Sequence, residues 1–132
     1  MNTPHGIRLC NPGNIRHSLT TRWIGQAPAQ TDSEFVTFSD AKYGIRAIAK
    51  IMESYERIGI NTIEAAISRW APPIENNTTA YVKDVAKACG VDPKAKVSLK
   101  QIMPDLVKAI VMHENGEMPY SNSDIITGIS LA

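Results

Sequence analysis

Hydrophobic residues between Tyr43 and Arg57 recur every three or four positions and predict an α-helix. The recurring positions are Ile45, Ile48, Ala49, Met52 and Tyr55. This spacing places the apolar side chains on one face of a helix, which can then pack against a core. Gly59 follows at the point where such a helix would end.

Capping signals downstream predict further helices. A small polar side chain before a helix accepts hydrogen bonds from its free backbone N–H groups, and glycine or proline often follows its last residue. The predicted starts are Asn61, Thr78 or Thr79, Ser98, Pro104 and the run Ser121–Asp124. The predicted ends are Trp70, Gly90, Glu114 and Leu131. The segment after Ser98 is short, so we expect only a brief helix there.

The first 40 residues follow a different pattern, rich in turn-forming residues. Residues 11–14 are Asn-Pro-Gly-Asn, and Gly25, Pro28 and the run 31–33 continue the pattern, while β-favouring residues occupy only 22–24 and 34–38. Strands this short are stable only when they pack on a larger element. We therefore expect a small N-terminal β-hairpin lobe packed on the helices, which makes the fold class α+β, mainly α.

Length and composition indicate one folded domain. The chain has 132 residues, 43% of them hydrophobic, and a chain of this size buries roughly two thirds of its unfolded surface. Because no repeat or low-complexity segment divides it, we expect a single domain over residues 1–132. Such a domain does not need a disulfide, so Cys10 and Cys89 are expected to be reduced thiols.

Charge and hydropathy argue against two classes of partner. The net charge of +1 does not provide the basic surface that nucleic-acid binding requires, although 81–91 and 98–103 mimic helix-turn-helix spacing. No segment approaches the roughly 18 apolar residues of a membrane span, and the first 20 residues do not resemble a signal peptide. We expect a protein made in the cytoplasm, without nucleic acid as a partner, and carried to any outer site by lysis, secretion or a virus particle.

Sequence patterns of cofactor and metal sites are also missing. The chain has no phosphate-binding loop, no dinucleotide fingerprint and no zinc-type Cys/His spacing. The three histidines, His5, His17 and His113, are far apart in the sequence. We therefore expect no cofactor and no metal.

Glu114 is the residue whose position most favours chemistry. Val107 and Ile110 precede it by seven and four residues, so its carboxyl shares their apolar helix face. Partial burial and the negative end of the helix dipole both favour a protonated carboxyl, and a general acid in a glycosidase must hold a proton. The alternative is a solvated glutamate before an ordinary Asn115–Gly116 helix end.

Several motifs together carry a resemblance to a known family. They are Asn11–Arg16, Trp23–Gly25, Phe35–Phe38, Tyr43–Ala47, Arg69–Pro73, Glu75–Thr78 with Tyr81, His113–Gly116 and Pro119–Ser121. This set resembles a family of small phage and prophage proteins, usually described as virion structural proteins or cell-wall hydrolases. The resemblance extends over nearly the whole chain.

Part of this set is similar in order to segments of flagellar-type glucosaminidases, namely Asn11–Arg16, Trp23–Gly25, Phe35–Phe38 and a helix ending at Tyr55. The helix end Glu114–Gly116 comes last here instead of first. This resemblance implies a circularly permuted lysozyme-like domain, an arrangement that neighbouring chain termini permit. It further implies a peptidoglycan glycan-strand hydrolase or lytic transglycosylase with Glu114 as general acid. The alternative function is a non-catalytic virion protein that binds peptidoglycan, other virion subunits or secretion proteins.

The sequence leaves the second catalytic group open. Asp32 and Glu34 precede the second β-favouring stretch and are candidates, although both also suit a turn or an edge strand. Glu75, in a loop after two prolines, is a rival acid. Lysozyme-like enzymes can also use a single glutamate with a water or a hydroxyl of the sugar itself.

The candidate substrate-binding residues are aromatic and amide side chains near these motifs. They are Trp23, Tyr120, Asn11, Asn14 and Asn115. Trp23 and Tyr120 lie in predicted loops, where an aromatic ring can stack on a sugar. Trp70 ends an amphipathic helix, where it suits either stacking on a sugar or filling the core, and we expect it in the core.

Overall fold

The described residues, 3–73 and 76–132 of the computed structural model, contain six α-helices. In chain order they are α1 (His5–Arg8), α2 (Ala41–Arg57), α3 (Ile63–Trp70), α4 (Thr78–Cys89), α5 (Met103–Asn115) and α6 (Asn122–Ser130). The prediction of a mainly helical protein is confirmed. Helix α1 has only four residues, too few to show a hydrophobic period, which is why the pattern does not predict it.

Helix α2 is the longest element and packs against α5 and α6. Its predicted apolar face is confirmed, because Ile45, Ile48 and Met52 are fully buried. The backbone of α6 approaches closely at Gly128, where a Cβ atom would stand 2.4 Å from Cγ2 of Ile45. This contact accepts only glycine without a shift of one helix.

The starts of α3 and α4 differ by one or two residues from the predicted ones. The side chain of Thr62 caps α3 by accepting from the backbone N of Ala65 at 3.1 Å, and Asn77 caps α4 through the N of Ala80 at 3.2 Å. Neighbouring polar residues can each serve as a cap, so sequence alone does not select among them. Helix α4 ends as predicted at Gly90, whose φ of 70° is left-handed.

The two C-terminal helices begin where their signals predict. Pro104 lies in the first turn of α5. Ser121 and Asp124 form a reciprocal capping box at α6, each side chain accepting from the backbone N–H of the other at 3.0–3.1 Å. Residues 99–102, predicted as a brief helix, form turns instead. Here the Glu56 carboxyl accepts from the hydroxyl of Ser98 and the backbone N of Lys100.

The N-terminal region does not form the regular strands expected of a hairpin. Its described residues show two single antiparallel bridges, Arg16 with Phe35 and Gln26 with Phe38. The side-chain amide of Gln30 pairs with both the N and the O of Thr37, at 2.8 and 2.9 Å. Backbone bonds also join the segments, for example from the N of Ala27 to the same O of Thr37 at 2.9 Å. The region is therefore held by isolated backbone bonds and by side chains instead of a continuous ladder.

Helices α2 to α6 and part of the N-terminal region contribute to one cluster of buried apolar side chains. Ile15, Val36 and Phe38 join this cluster from the N-terminal region, so that region packs on the helices as predicted. Cys10 and Cys89 are free thiols. Within the described ranges, no helix has the length and apolar character needed to cross a membrane.

Candidate active site

The carboxyl of Glu114 lies in the last turn of α5, where the helices meet the N-terminal region. Val107 and Ile110 on the same face are fully buried, as expected, and Glu114 is partly buried. Its Oε1 accepts a hydrogen bond from Nδ2 of Asn14 at 3.0 Å, and its Oε2 accepts one from the hydroxyl of Tyr81 at 2.8 Å. Two donors from distant parts of the chain thus hold the carboxyl in one orientation.

The backbone of Asn14 is left-handed, with φ of 49°. Asparagine tolerates this conformation better than most residues. The backbone N of Asn14 donates to the O of Asn11 at 3.0 Å, which closes a tight turn after Pro12 and Gly13. The turn directs the Asn14 amide toward α5, so the predicted candidate Asn14 does lie against Glu114.

Tyr81 of α4 is fully buried and links Glu114 to Trp70. Its hydroxyl oxygen accepts from Nε1 of Trp70 at 3.0 Å while its proton is donated to Glu114. Burial, reinforced by the Glu114 charge, raises the pKa of Tyr81 far above its usual range. The phenol therefore stays protonated and remains a donor.

The ring of Tyr81 is held from a second side by His113. The two rings stack with centroids 3.6 Å apart and planes inclined by 23°. Nδ1 of His113 in turn lies 3.5 Å from Oδ2 of Asp84 on α4. This contact links α4 to α5 one residue before Glu114.

A cleft of about 340 Å³ opens beside Glu114. The lining side chains that matter chemically are Asn14, Arg16, Phe35, Tyr55, Trp70 and Glu114. The three aromatic rings offer apolar faces of the kind that stack on sugar rings. Glu114 is the only carboxylate among the described residues that line this cleft.

The two predicted partner carboxylates have other contacts. Glu34 pairs with Arg16 at 3.1 Å, and the Arg16 guanidinium also lies over the Phe35 ring, 4.9 Å from its centroid. Glu34 is exposed and does not line the cleft, but Arg16 and Phe35 beside it do.

Asp32 serves as an anchor for the turn that precedes Phe35. It accepts from His5 at 2.9 Å and from the backbone N of Glu34 and of Phe35. The His5 hydrogen bond and then the backbone bonds lower the pKa of Asp32 to about 2. An ionised carboxylate with these partners is suited to holding the turn.

The amides of Asn11 and Asn115 are occupied by the backbone. Asn11 is 0% exposed and bonds to Ile15 and Val36. Asn115 donates to the O of Pro12 at 2.8 Å and to the O of Val111 at 2.9 Å. Asn11 has no exposed surface for a sugar, and both amides instead fix the N-terminal turn that carries Asn14.

The remaining predicted contacts do not line this cleft. Trp23 is partly buried against the core. Tyr120 lines a separate cavity of about 260 Å³ beside Asp40 and Asp124, and burial raises the pKa of Tyr120 to about 12. Glu75, the rival acid, lies outside the described residues.

Sequence reasoning missed four side chains of the site: Tyr81, Tyr55, Phe35 and Arg16. Tyr81 and Tyr55 lie on the apolar faces of predicted helices, where an aromatic residue usually indicates only packing. Trp70, expected in the core, packs on the core with one part and lines the cleft with another. Only the fold reveals that these positions converge on Glu114.

Comparison with known proteins identifies one relationship. No protein-family model matches the chain. The chain is 34% identical over 126 residues to Protein P5 of Pseudoalteromonas phage PM2, and the alignment covers 93% of this chain and 78% of that protein. Identity at this level over almost the whole chain shows that the chain belongs to the family of this phage protein.

Proposed function

We propose that this protein cleaves the glycan strand of bacterial peptidoglycan, with Glu114 as the general acid of a lysozyme-like site. The observation that carries the proposal is the environment of Glu114. Its carboxyl is held by Asn14 and Tyr81 at a cleft walled by Trp70 and Tyr55. A fixed carboxyl beside apolar ring faces is what acid catalysis on a polysaccharide requires.

In the proposed reaction, Glu114 gives its proton to the β-1,4 glycosidic oxygen as the bond from that oxygen to the anomeric carbon breaks. The leaving sugar departs as an alcohol, and positive charge develops on the ring that remains. The Glu114 carboxylate then takes a proton from the attacking nucleophile, which restores the acid. One carboxyl can therefore serve both steps.

The cleft favours a single-glutamate mechanism. Glu114 is the only carboxylate among its described lining residues, while Asp32 and Glu34 are engaged with His5 and Arg16. Because the described lining offers no second carboxylate to activate water, we assign the role of nucleophile to the sugar's own 6-hydroxyl. We therefore favour a lytic transglycosylase that forms 1,6-anhydro ends over a hydrolase that forms reducing ends.

The test is digestion of purified Gram-negative sacculi, with mass spectrometry of the soluble products. We expect anhydro-ended muropeptides from the native protein and at least a 100-fold lower rate from Glu114→Gln, because a carboxamide is too weak an acid to protonate the leaving oxygen. Gln keeps the side-chain volume, but its single oxygen can accept from only one of the two donors, so the free energy of unfolding should fall by about 1–3 kcal/mol.

The matched control is Glu117→Gln, an exposed glutamate three residues further on. We expect it to digest sacculi at the native rate. Products with reducing ends would show that water, and not the 6-hydroxyl of the sugar, is the nucleophile. Equal rates from Glu114→Gln and the native protein would refute the proposed role of Glu114.

A non-catalytic role is the second candidate, favoured by the phage origin of the related Protein P5. The protein would then bind peptidoglycan or partner subunits of a phage particle through the same cleft. Retention on sacculi without release of muropeptides would support this role. In either case, delivery to the wall would depend on a phage particle, lysis or a secretion machine.

A further inference from the structure

Trp70, Tyr81 and Glu114 form one chain of hydrogen bonds that begins at the wall of the cleft. The indole Nε1 of Trp70 donates to the hydroxyl oxygen of Tyr81 at 3.0 Å, and that hydroxyl donates to Oε2 of Glu114 at 2.8 Å. Trp70 lines the cleft, whereas Tyr81 is fully buried behind it. This chain of hydrogen bonds therefore runs from a wall of the cleft, through the protein interior, to the carboxyl of Glu114.

The direction of this chain follows from the chemistry of its members. An indole N–H can only donate a hydrogen bond, so the Tyr81 oxygen must act as acceptor toward Trp70. A buried phenol proton needs an acceptor, and Glu114 supplies it. Because the phenol stays protonated, both bonds keep their direction.

The second oxygen of Glu114 is under a similar constraint. The Nδ2 group of Asn14 is a donor and cannot accept a proton. Both partners of Glu114 thus donate to it, and neither competes for the proton that the carboxyl carries as an acid. That proton is left to an acceptor in the cleft.

We infer that Tyr81 is a positioning residue for Glu114, held as a donor by Trp70 so that the acid's proton is directed to the substrate. This inference rests on the proposed function, because it assigns Tyr81 a role in that reaction. Tyr81 does not touch the substrate. It affects the rate of bond cleavage and leaves the cleft surface unchanged.

The main variant is Tyr81→Phe, which removes the hydroxyl and keeps the ring that stacks on His113. We expect kcat on sacculi to fall about 10- to 100-fold with KM nearly unchanged, the loss typical of one hydrogen bond to a charged group. The control is Tyr43→Phe, a partly buried tyrosine outside the cleft, which should keep both constants.

A second readout does not depend on activity. The chain has two tryptophans, so a 1H–15N NMR spectrum contains two indole signals, which Trp23→Phe assigns. In Tyr81→Phe, the Trp70 indole proton should move upfield because its hydrogen bond is lost, while the Trp23 signal stays in place. If Tyr81→Phe does not fold, Glu114→Ala is used, since removing the acceptor of Tyr81 should also move the Trp70 signal.

The outcomes separate the inference from the proposed function. A Trp70 signal that does not respond refutes the hydrogen-bond chain, whatever the activity. A Trp70 shift with native kcat refutes the positioning role. A native protein that releases no muropeptides refutes the proposed function and the positioning role of Tyr81 with it. This holds even where the NMR shift shows that the chain of hydrogen bonds exists.

Discussion

Gly6 is the residue on which three oxygens of the N-terminal turn converge. A Cβ atom at this position would lie 2.7 Å from the backbone O of Asn11 and from Oδ1 of both Asn14 and Asn115. Those distances are well inside van der Waals contact. The absence of a side chain at Gly6 therefore allows the Asn14 amide to reach Glu114.

We predict that Gly6→Ala destabilises the protein by about 2–3 kcal/mol, the usual cost of an overpacked site. It should also reduce sacculus digestion, because Asn14 must move to make room. The measurement is the urea midpoint together with the digestion rate. Gly59→Ala is the control. Alanine is strained at the φ of 93° found there, which lowers stability, but no atom lies within 4 Å of the added methyl group. We therefore expect native activity from this variant. Native activity in Gly6→Ala would contradict the prediction.

At the same scale, the partners of Glu114 show what the sequence could not reveal. Its place on an apolar helix face follows from the spacing of Val107 and Ile110, and the structure confirms that spacing. Its donors do not follow, because Asn14 is 100 residues away and Tyr81 is 33 residues away. No local pattern records which distant side chains a fold brings together.

At the scale of elements, the helices were predictable and the N-terminal region was not. Helices α2 to α6 carry either a hydrophobic period or capping residues, which act locally. The stretches 22–24 and 34–38 have β propensity, yet the side chains of Gln30 and Asp32 bond to backbone groups of the second stretch. Such side-chain contacts, two to seven residues apart in the chain, compete with strand pairing and override the β preference.

The turn held by Asp32 makes the N-terminal region sensitive to acid. The pKa of Asp32 is about 2 in the folded protein, lowered chiefly by the His5 hydrogen bond, against an ordinary value of 3.8. A group with a depressed pKa stabilises the fold above its unfolded pKa and loses that contribution as the pH falls through its folded pKa. The loss should therefore occur between about pH 4 and pH 2.

We predict that Asp32→Asn flattens the decline of stability in this pH range. Its amide oxygen can still accept from the backbone of Glu34 and Phe35, but it does not titrate. The measurement is the urea midpoint of the native protein and the variant at intervals from pH 5 to pH 2. Asp92→Asn, which changes an exposed aspartate, serves as the control and should follow the native curve. Parallel curves for Asp32→Asn and the native protein would rule out this role.

At the scale of the whole molecule, the cleft depends on contact between two segments that are about 100 residues apart in the chain. Asn14 reaches Glu114, and Asn115 reaches the O of Pro12 across 103 residues. Both bonds join the N-terminal turn to the end of α5. Asn14 can therefore donate to Glu114 only while this turn stays packed on the helices.

Asn115→Ala tests that dependence, because it removes the donor to Pro12 while leaving Glu114 intact. We predict faster hydrogen exchange over 11–16 and a lower digestion rate, with exchange in α3 and α4 unchanged, since local opening follows local contacts. Hydrogen-exchange mass spectrometry on the native protein, Asn115→Ala and the exposed control Asn61→Ala measures this. Uniformly faster exchange in Asn115→Ala would instead mean that Asn115 supports the whole fold. Unchanged exchange over 11–16 would show that other contacts hold the turn, such as those of the fully buried amide of Asn11.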